Sequence, residues 1–162
     1  MLSGGVMTTP HRLWIETTYH AAFRYGGWGV VREAGGALSG QAGGQRGATA
    51  ARIDLMALIA AFEGLPPGPA VIHSASSGVV GAARLLLNPP APGSDNAPAE
   101  DMDLWAQAIA AARGRTLTLK PGANAQAAFL RSWAEVGQDK AKGQPRFSAA
   151  IPKPNLAKFP LA

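Results

Sequence analysis

The feature that most constrains the fold is the order of strand-like and helix-like periodicities along the chain. Residues 12–19 alternate between apolar and polar side chains, which is typical of a half-buried strand. Residues 28–32 and the glycine-laced segment 37–45 predict two further strands, joined as an antiparallel meander. A helix over 50–63 follows, with Thr49 as its expected N-cap.

The second half of the chain alternates helices with strands. Residues 69–74 predict a short buried strand, and a helix over 77–87 follows it. A helix over 101–113, a strand over 115–120 and a last helix over 125–139 complete the pattern. The order β-β-β-α-β-α-α-β-α predicts an α/β fold with a mixed five-stranded sheet and helices on both faces.

Length and composition limit the number of domains that the chain can form. A chain of 162 residues fits one domain, which we expect over 11–142, preceded by an N-terminal extension over 1–10. The tail over 143–162 contains four prolines and no periodicity, which predicts a segment that is extended along the surface or disordered.

Composition also narrows the functional classes. The chain has no cysteine, which excludes disulfides and thiolate metal sites. No apolar run approaches the roughly 18 residues that a membrane span needs, and residues 1–10 lack a secretory pattern, so we expect a cytoplasmic protein without a membrane partner. The net charge of +5 favours polyanionic partners, and ten of the fifteen cations are arginines, which suit phosphate groups.

Three motifs in a fixed order carry a resemblance to a known family. The first strand contains an acid, Glu16, and the second begins with Gly-Gly-Trp-Gly at 26–29. The first helix contains Asp54 within the run Arg-Ile-Asp-Leu-Met-Ala. A strand acid, a glycine-aromatic hairpin and a helix acid resemble type 1 ribonuclease H over roughly residues 11–139.

The resemblance implies metal-dependent hydrolysis of nucleic acid, and the residues at the family positions imply that this activity is lost. Members of the family cleave the RNA strand of an RNA/DNA hybrid with two divalent ions held by four carboxylates. The four family positions fall on Glu16, Asp54, Ser76 and Ser132, so two acids are retained and two are replaced by serine. Glu16 and Asp54 are therefore the candidate ligands for Mg²⁺ or Mn²⁺ if the protein is active, and a solvated pair left in the old cleft if it is not. Ser76 is also a candidate cap for the helix over 77–87.

Further departures from the family pattern are expected to weaken the binding of an RNA/DNA hybrid by this chain. The loop over 120–124 lacks the family's histidine, and Ala50 and Ala51 leave Thr49 alone to contact an RNA 2′-hydroxyl. The segment 88–103 carries four acids and no lysine or arginine, which disfavours a phosphate backbone.

Three functional hypotheses follow. The first is a ribonuclease H-like domain that binds an RNA/DNA hybrid or duplex through a cationic face but has lost two-metal hydrolysis. The second is an active hybrid endoribonuclease with a rearranged metal site made by Glu16, Asp54 and Glu135. The third is a protein–protein module whose tail over 143–162 docks on a partner. The candidate nucleic-acid-binding residues are Arg12, Arg24, Arg46, Thr49, Arg52, Lys120 and Arg131.

Other conspicuous residues have structural explanations. His73 ends an apolar strand and is expected to be a hydrogen-bonded residue of the core or its rim rather than a metal ligand. Trp105 and Trp133 occupy core-like helix positions, and the glycines over 26–29 are expected to serve the hairpin.

Overall fold

The computed structural model describes residues 9–91, 94–95 and 98–161. The predicted N-terminal extension lies outside these residues except for residues 9 and 10, and part of the predicted loop over 88–99 also lies outside them. No helix within the described ranges is both long and apolar enough to cross a membrane.

The described residues form a mixed α/β fold with one six-stranded sheet in the order β5-β4-β1-β2-β3-β6. The elements are β1 (His11–His20), β2 (Tyr25–Ala34), β3 (Ala37–Arg46), α1 (Ala50–Phe62), β4 (Ala70–Ser74), α2 (Ser77–Leu87), α3 (Met102–Ala112), β5 (Leu117–Pro121), α4 (Ala125–Gly143), β6 (Arg146–Ala150) and α5 (Lys153–Leu156). The predicted α/β class and element order through α4 are confirmed.

The directions of the strands define one edge of the sheet at which several strands end together. β4 runs parallel to both β1 and β5, so the carboxyl ends of these three strands, at His20, Ser74 and Pro121, lie at the same edge. We call this the carboxyl edge. β1, β2 and β3 form an antiparallel meander, which returns β3 to this edge at Arg46.

Helices cover both faces of the sheet, as predicted. Leu13 and Ile15 of β1 join a large core with the apolar residues of α1, α2 and α3. Trp14, which the strand alternation places on the other face, joins a smaller core with Leu130 of α4 and Phe159 of the tail. One strand therefore supplies side chains to two separate cores.

Glycines allow α4 to lie directly on β2 and β3. A Cβ atom on Gly27 would overlap the backbone carbonyl of Ala134, and one on Gly137 would overlap the carbonyl of Gly43. Gly27 lies in the second strand of the β1–β2 hairpin, and this close helix–sheet contact is what requires a glycine there. The same contact requires Gly44 of β3, whose Cβ atom would overlap the carbonyl of Gly137, whereas a Cβ atom on Gly43 would overlap the ring of Trp28.

The tail corrects the predicted strand number. Residues 146–150 pair antiparallel with residues 41–45 of β3, so the sheet has six strands where five were predicted. Ile151, Leu156 and Phe159 are buried in the smaller core. The apolar side chains that were candidates for docking on a partner are therefore engaged within the chain itself.

Candidate functional site

The carboxyl edge brings together three of the four family acid positions. Glu16 lies on β1, Asp54 lies on α1, and Ser76 follows the end of β4. They meet because β4 is the parallel neighbour of β1, so the segment that leaves β4 passes beside the middle of β1. We refer to Glu16 and Asp54 as the acid pair.

Glu16 is buried, and both of its carboxylate oxygens accept hydrogen bonds from the protein. Its exposed fraction is 1 %, which is exceptional for an acid. The backbone N–H of Ala75 donates to Oε2 at 2.8 Å, and Ser76 Oγ donates to Oε1 at 2.9 Å. Burial raises the pKa of Glu16, although these hydrogen bonds and the charge of Arg131 oppose the rise.

Asp54 is held in a similar way. Thr17 Oγ1 donates to Asp54 Oδ1 at 2.8 Å. The other oxygen, Oδ2, lies so close to the first turn of α2 that a Cβ atom on Gly78 would overlap it. Burial raises the pKa of Asp54, and the hydrogen bond from Thr17 partly offsets this effect.

Ser76 connects the two acids. Its hydroxyl donates to Glu16 and accepts from the backbone N–H of Thr17 at 3.1 Å, while the side chain of Thr17 continues to Asp54. Ser76 occupies the N-cap position of α2, as predicted, but its side chain makes no capping hydrogen bond because its hydroxyl is used by this network. The serine at the third family position thus acts as a hydrogen-bond donor to the first family acid.

The acid pair does not offer the ligands that a two-metal centre needs. Ser132 is exposed on α4, and its hydroxyl bonds back to the carbonyl of Ala128 at 3.4 Å. Glu135 is also exposed on α4, and among the residues that the structure describes no three Asp, Glu, His or Cys side chains converge to hold an ion. Mg²⁺ requires several oxygen ligands free to coordinate it. Among the described residues only two carboxylates meet here, and three of their four oxygens already accept hydrogen bonds, whereas the resemblance implies four carboxylates for two metals.

Four of the predicted nucleic-acid-binding cations lie towards the carboxyl edge. Arg24 is in the β1–β2 turn, and Arg46 ends β3 beside it. Lys120 lies near the end of β5, and Arg131 on α4 is close enough to act on the charge of Glu16. All four are exposed.

The other three predicted residues serve the fold. Arg12 lies at the opposite end of β1, where its Nε donates to Glu33 at 2.7 Å. Arg52 pairs with acids of the α3 start, at 2.9 Å for Asp101 and 3.2 Å for Asp103. Thr49 caps α1 as predicted, because its hydroxyl accepts from the backbone of Arg52. The seven residues therefore do not share one cationic face, and two acids of the segment 88–103 neutralise Arg52.

Two cations at the carboxyl edge were missed by the sequence reasoning. Arg146 begins β6 opposite Gln45, and Lys142 lies in the last turn of α4 with its ammonium near the ring of Tyr25. No local signal identifies them, because Arg146 is placed by the pairing of β6 with β3 and Lys142 by the packing of α4 against β2. We call residues 20–25 together with Arg46, Lys142 and Arg146 the hairpin end.

His73 lies at the rim of the smaller core, as predicted. Its ring stacks on Trp14 with centroids 5.2 Å apart, and its Nε2 atom is buried without a hydrogen-bond partner among the described residues. Burial lowers the pKa of His73, and the charges of Lys120 and Arg12 lower it further. A neutral, stacked imidazole is consistent with packing.

Solved structures with the same fold are found over most of the chain. The N-terminal RNase H domain of a Mycobacterium tuberculosis protein, determined as a fusion with maltose binding protein, is 19 % identical, with a TM-score of 0.62 over 84 % of this chain and 98 % of that one. LC11-RNase H1 in complex with an RNA/DNA hybrid is 15 % identical, with a TM-score of 0.59 over 82 % and 99 %.

RNase H1 from the archaeon Halobacterium salinarum is 17 % identical, with a TM-score of 0.57 over 82 % of this chain and 100 % of that one. No protein-family model and no curated protein matches the chain. The fold predicted from the three sequence motifs is confirmed by these structures.

Proposed function

We propose that this chain, which has a type 1 ribonuclease H-like fold, binds an RNA/DNA hybrid or a nucleic-acid duplex and does not hydrolyse it by a two-metal mechanism. One observation carries the proposal. At a single edge of the sheet, the acids accept hydrogen bonds from the protein, while exposed cations face solvent.

The position and charge of the carboxyl edge support nucleic-acid binding. Ligands of open α/β sheets bind beyond the carboxyl ends of the parallel strands, where Arg24, Arg46, Lys120 and Arg131 are found. A net charge of +5 favours association with a polyanion. One of the solved structures with this fold is described as a complex with an RNA/DNA hybrid.

The hydrogen bonds of the acid pair support the absence of hydrolysis. Each oxygen of Glu16 already accepts a hydrogen bond, from Ser76 or from Ala75, which uses part of the lone-pair capacity that a metal would need. The raised pKa values of Glu16 and Asp54 show that burial disfavours the charged forms that a cation requires.

The second candidate is a hybrid endoribonuclease with a rearranged site. Its support is that Glu16 and Asp54 are retained on the expected elements and are joined by Thr17 and Ser76. LC9-RNase H1, which also shares the fold, is described as a type 1 enzyme with the type 2 active-site motif. In this alternative, Glu135 supplies the third ligand and Mg²⁺ or Mn²⁺ is the cofactor.

Binding and cleavage can be separated in one experiment. Fluorescence anisotropy of labelled hybrid, DNA duplex and single strand of equal length is measured over a series of salt concentrations, and the hybrid is then recovered and analysed on a denaturing gel. We expect affinity for hybrid or duplex that falls with salt, and an intact RNA strand in Mg²⁺ or Mn²⁺. Absence of binding at low salt contradicts the binding proposal. Cleavage that disappears in Asp54→Asn establishes the endoribonuclease instead.

A further inference from the structure

The turn between β1 and β2 presents three nearly parallel rings. His20 contacts both Phe23 and Tyr25, with centroids 5.2 Å and 5.1 Å apart and interplanar angles of 26° and 15°. The rings of Phe23 and Tyr25 are 6.3 Å apart and inclined by 11°. Tyr25 is buried and His20 is partly buried, whereas Phe23 is 70 % exposed.

Cations surround the rings. Lys142 places its ammonium 5.9 Å from the centre of the Tyr25 ring, and its backbone carbonyl accepts from Arg46 at 3.4 Å. Arg24 follows Phe23 directly in the sequence, and Arg146 lies on β6, the neighbour of β3, at the carboxyl edge. Among the described residues, the acid that forms an ion pair with one of these cations is Asp139, which pairs with Lys142 on the exposed surface of α4. Aromatic rings between exposed cations complement a nucleobase with its phosphate.

The turn is fixed to the segment that leads into the candidate site. The carbonyl of Arg24 accepts hydrogen bonds from the backbone N–H groups of Gly47 at 2.7 Å and Ala48 at 3.1 Å. Tyr19 also donates its hydroxyl to the carbonyl of Ala48. His20 is four residues beyond Glu16 on the same strand, about 13 Å at the usual rise of an extended chain.

We propose that Phe23, supported by His20 and Tyr25, is a stacking platform for an unpaired nucleobase at the end of a duplex bound along the carboxyl edge. The phosphates of that strand contact Arg24, Arg46 and Lys142. Stacking uses the π-face that every base has, so the platform discriminates a single-stranded extension from a blunt end and not one base from another. This inference rests on the proposed nucleic-acid binding and adds that a duplex with a single-stranded extension is preferred to a blunt-ended one.

The test uses hybrids with a blunt end or with a short single-stranded extension that carries 2-aminopurine at its first unpaired position. We expect the wild-type protein to bind the extended hybrid about tenfold more tightly than the blunt one and to quench the 2-aminopurine. Phe23→Ala is expected to remove both effects, and Phe23→Tyr is expected to retain them. Leu87→Ala, which truncates an exposed apolar side chain elsewhere, is the matched control and should match the wild type.

The outcomes separate this inference from the proposed function. Equal affinity of the wild type for blunt and extended hybrids, or an unchanged preference in Phe23→Ala, overturns the platform while duplex binding stands. A preference that Phe23→Ala removes, with no binding of the blunt hybrid, supports the platform and contradicts duplex binding. Because Phe23 is exposed, the alanine variant is expected to fold, and its far-ultraviolet circular dichroism and melting temperature verify this.

Discussion

The acid pair and the hairpin end lie at the same edge of the sheet, but their charged groups are used in opposite ways. Glu16 is buried and Asp54 is half-buried, and they accept hydrogen bonds from Ser76, Ala75 and Thr17. Arg24 and Arg46 are exposed and form no ion pair among the described residues. A polar group that is hydrogen-bonded within the protein stabilises the folded conformation, whereas a solvent-exposed charged group remains available to bind a ligand. The comparison assigns stability to the first region and binding to the second.

The largest expected effect comes from restoring an acid at the third family position. Ser76→Asp places a second carboxylate against buried Glu16 and removes its donor, so we expect a loss of about 3 kcal/mol in the free energy of unfolding without metal. Ser76→Asn, similar in size but uncharged, is expected to lose less. Mn²⁺ should raise the melting temperature of Ser76→Asp and leave the wild type unchanged. An equal increase in the wild type contradicts the assignment of the acid pair to stability.

Removal of the serine hydroxyl alone should have a smaller effect. Ser76→Ala leaves Glu16 Oε1 and the N–H of Thr17 without their partner, which is expected to cost about 2 kcal/mol. Ser77→Ala, at the exposed next position, is the control and is expected to change stability by less than about 0.5 kcal/mol. Urea unfolding measures both values. Equal losses in the two variants would mean that Ser76 does not stabilise Glu16.

The pH dependence of stability tests the acid pair in the wild-type protein. Burial raises the pKa of Glu16 and of Asp54, so the folded state favours their neutral forms. Their stabilising contribution is complete below the ordinary carboxyl pKa and is lost as the pH rises through the raised values. Relative to the double variant Glu16→Gln, Asp54→Asn, the wild type should lose stability as the pH rises above the ordinary carboxyl pKa.

Urea unfolding at a series of pH values compares the two proteins directly. Other titrating groups are shared by both chains, so they cancel in the difference. A difference that stays constant, or one that shifts in favour of the wild type as the pH rises, is inconsistent with buried acids held in an unfavourable charged form.

The smallest effect on stability and the most selective effect on binding are expected at the hairpin end. Arg24→Gln and Arg46→Gln should each weaken duplex binding a few-fold and reduce the slope of log affinity against log salt by about 1, because one phosphate contact is lost. Arg113→Gln, an exposed arginine at the end of α3, is the control and should leave the slope unchanged. Equal slopes in all three variants would place the binding surface elsewhere.

Local signals in the sequence were sufficient for most of the fold. The predicted helix over 77–87 has the observed bounds of α2, and Thr49 caps α1 as expected from its hydroxyl before an apolar periodic run. The tail was missed because its pairing with β3 depends on residues about 105 positions apart, and its prolines weaken any strand signal. Local periodicity carries no information about such a partner.

The candidate site was predictable in position but not in chemistry. The motifs located Glu16, Asp54 and Ser76 at one edge, because strand and helix order fix where the chain returns. The hydrogen bond from Ser76 to Glu16 was not predictable, since a serine before a helix is more commonly its cap. Arg12 is separated from the other cations by its place at the start of β1, and Arg52 is engaged by Asp101 and Asp103 in ion pairs that form only in the folded chain.

The most direct test of the central claim is a titration of Mn²⁺ into the metal-free protein, followed by the electron paramagnetic resonance signal of the free ion. If the acid pair belongs to an internal hydrogen-bond network, the wild type and the double variant Glu16→Gln, Asp54→Asn will leave the signal equally undiminished. Binding of two ions per wild-type chain that disappears in the double variant would contradict the account.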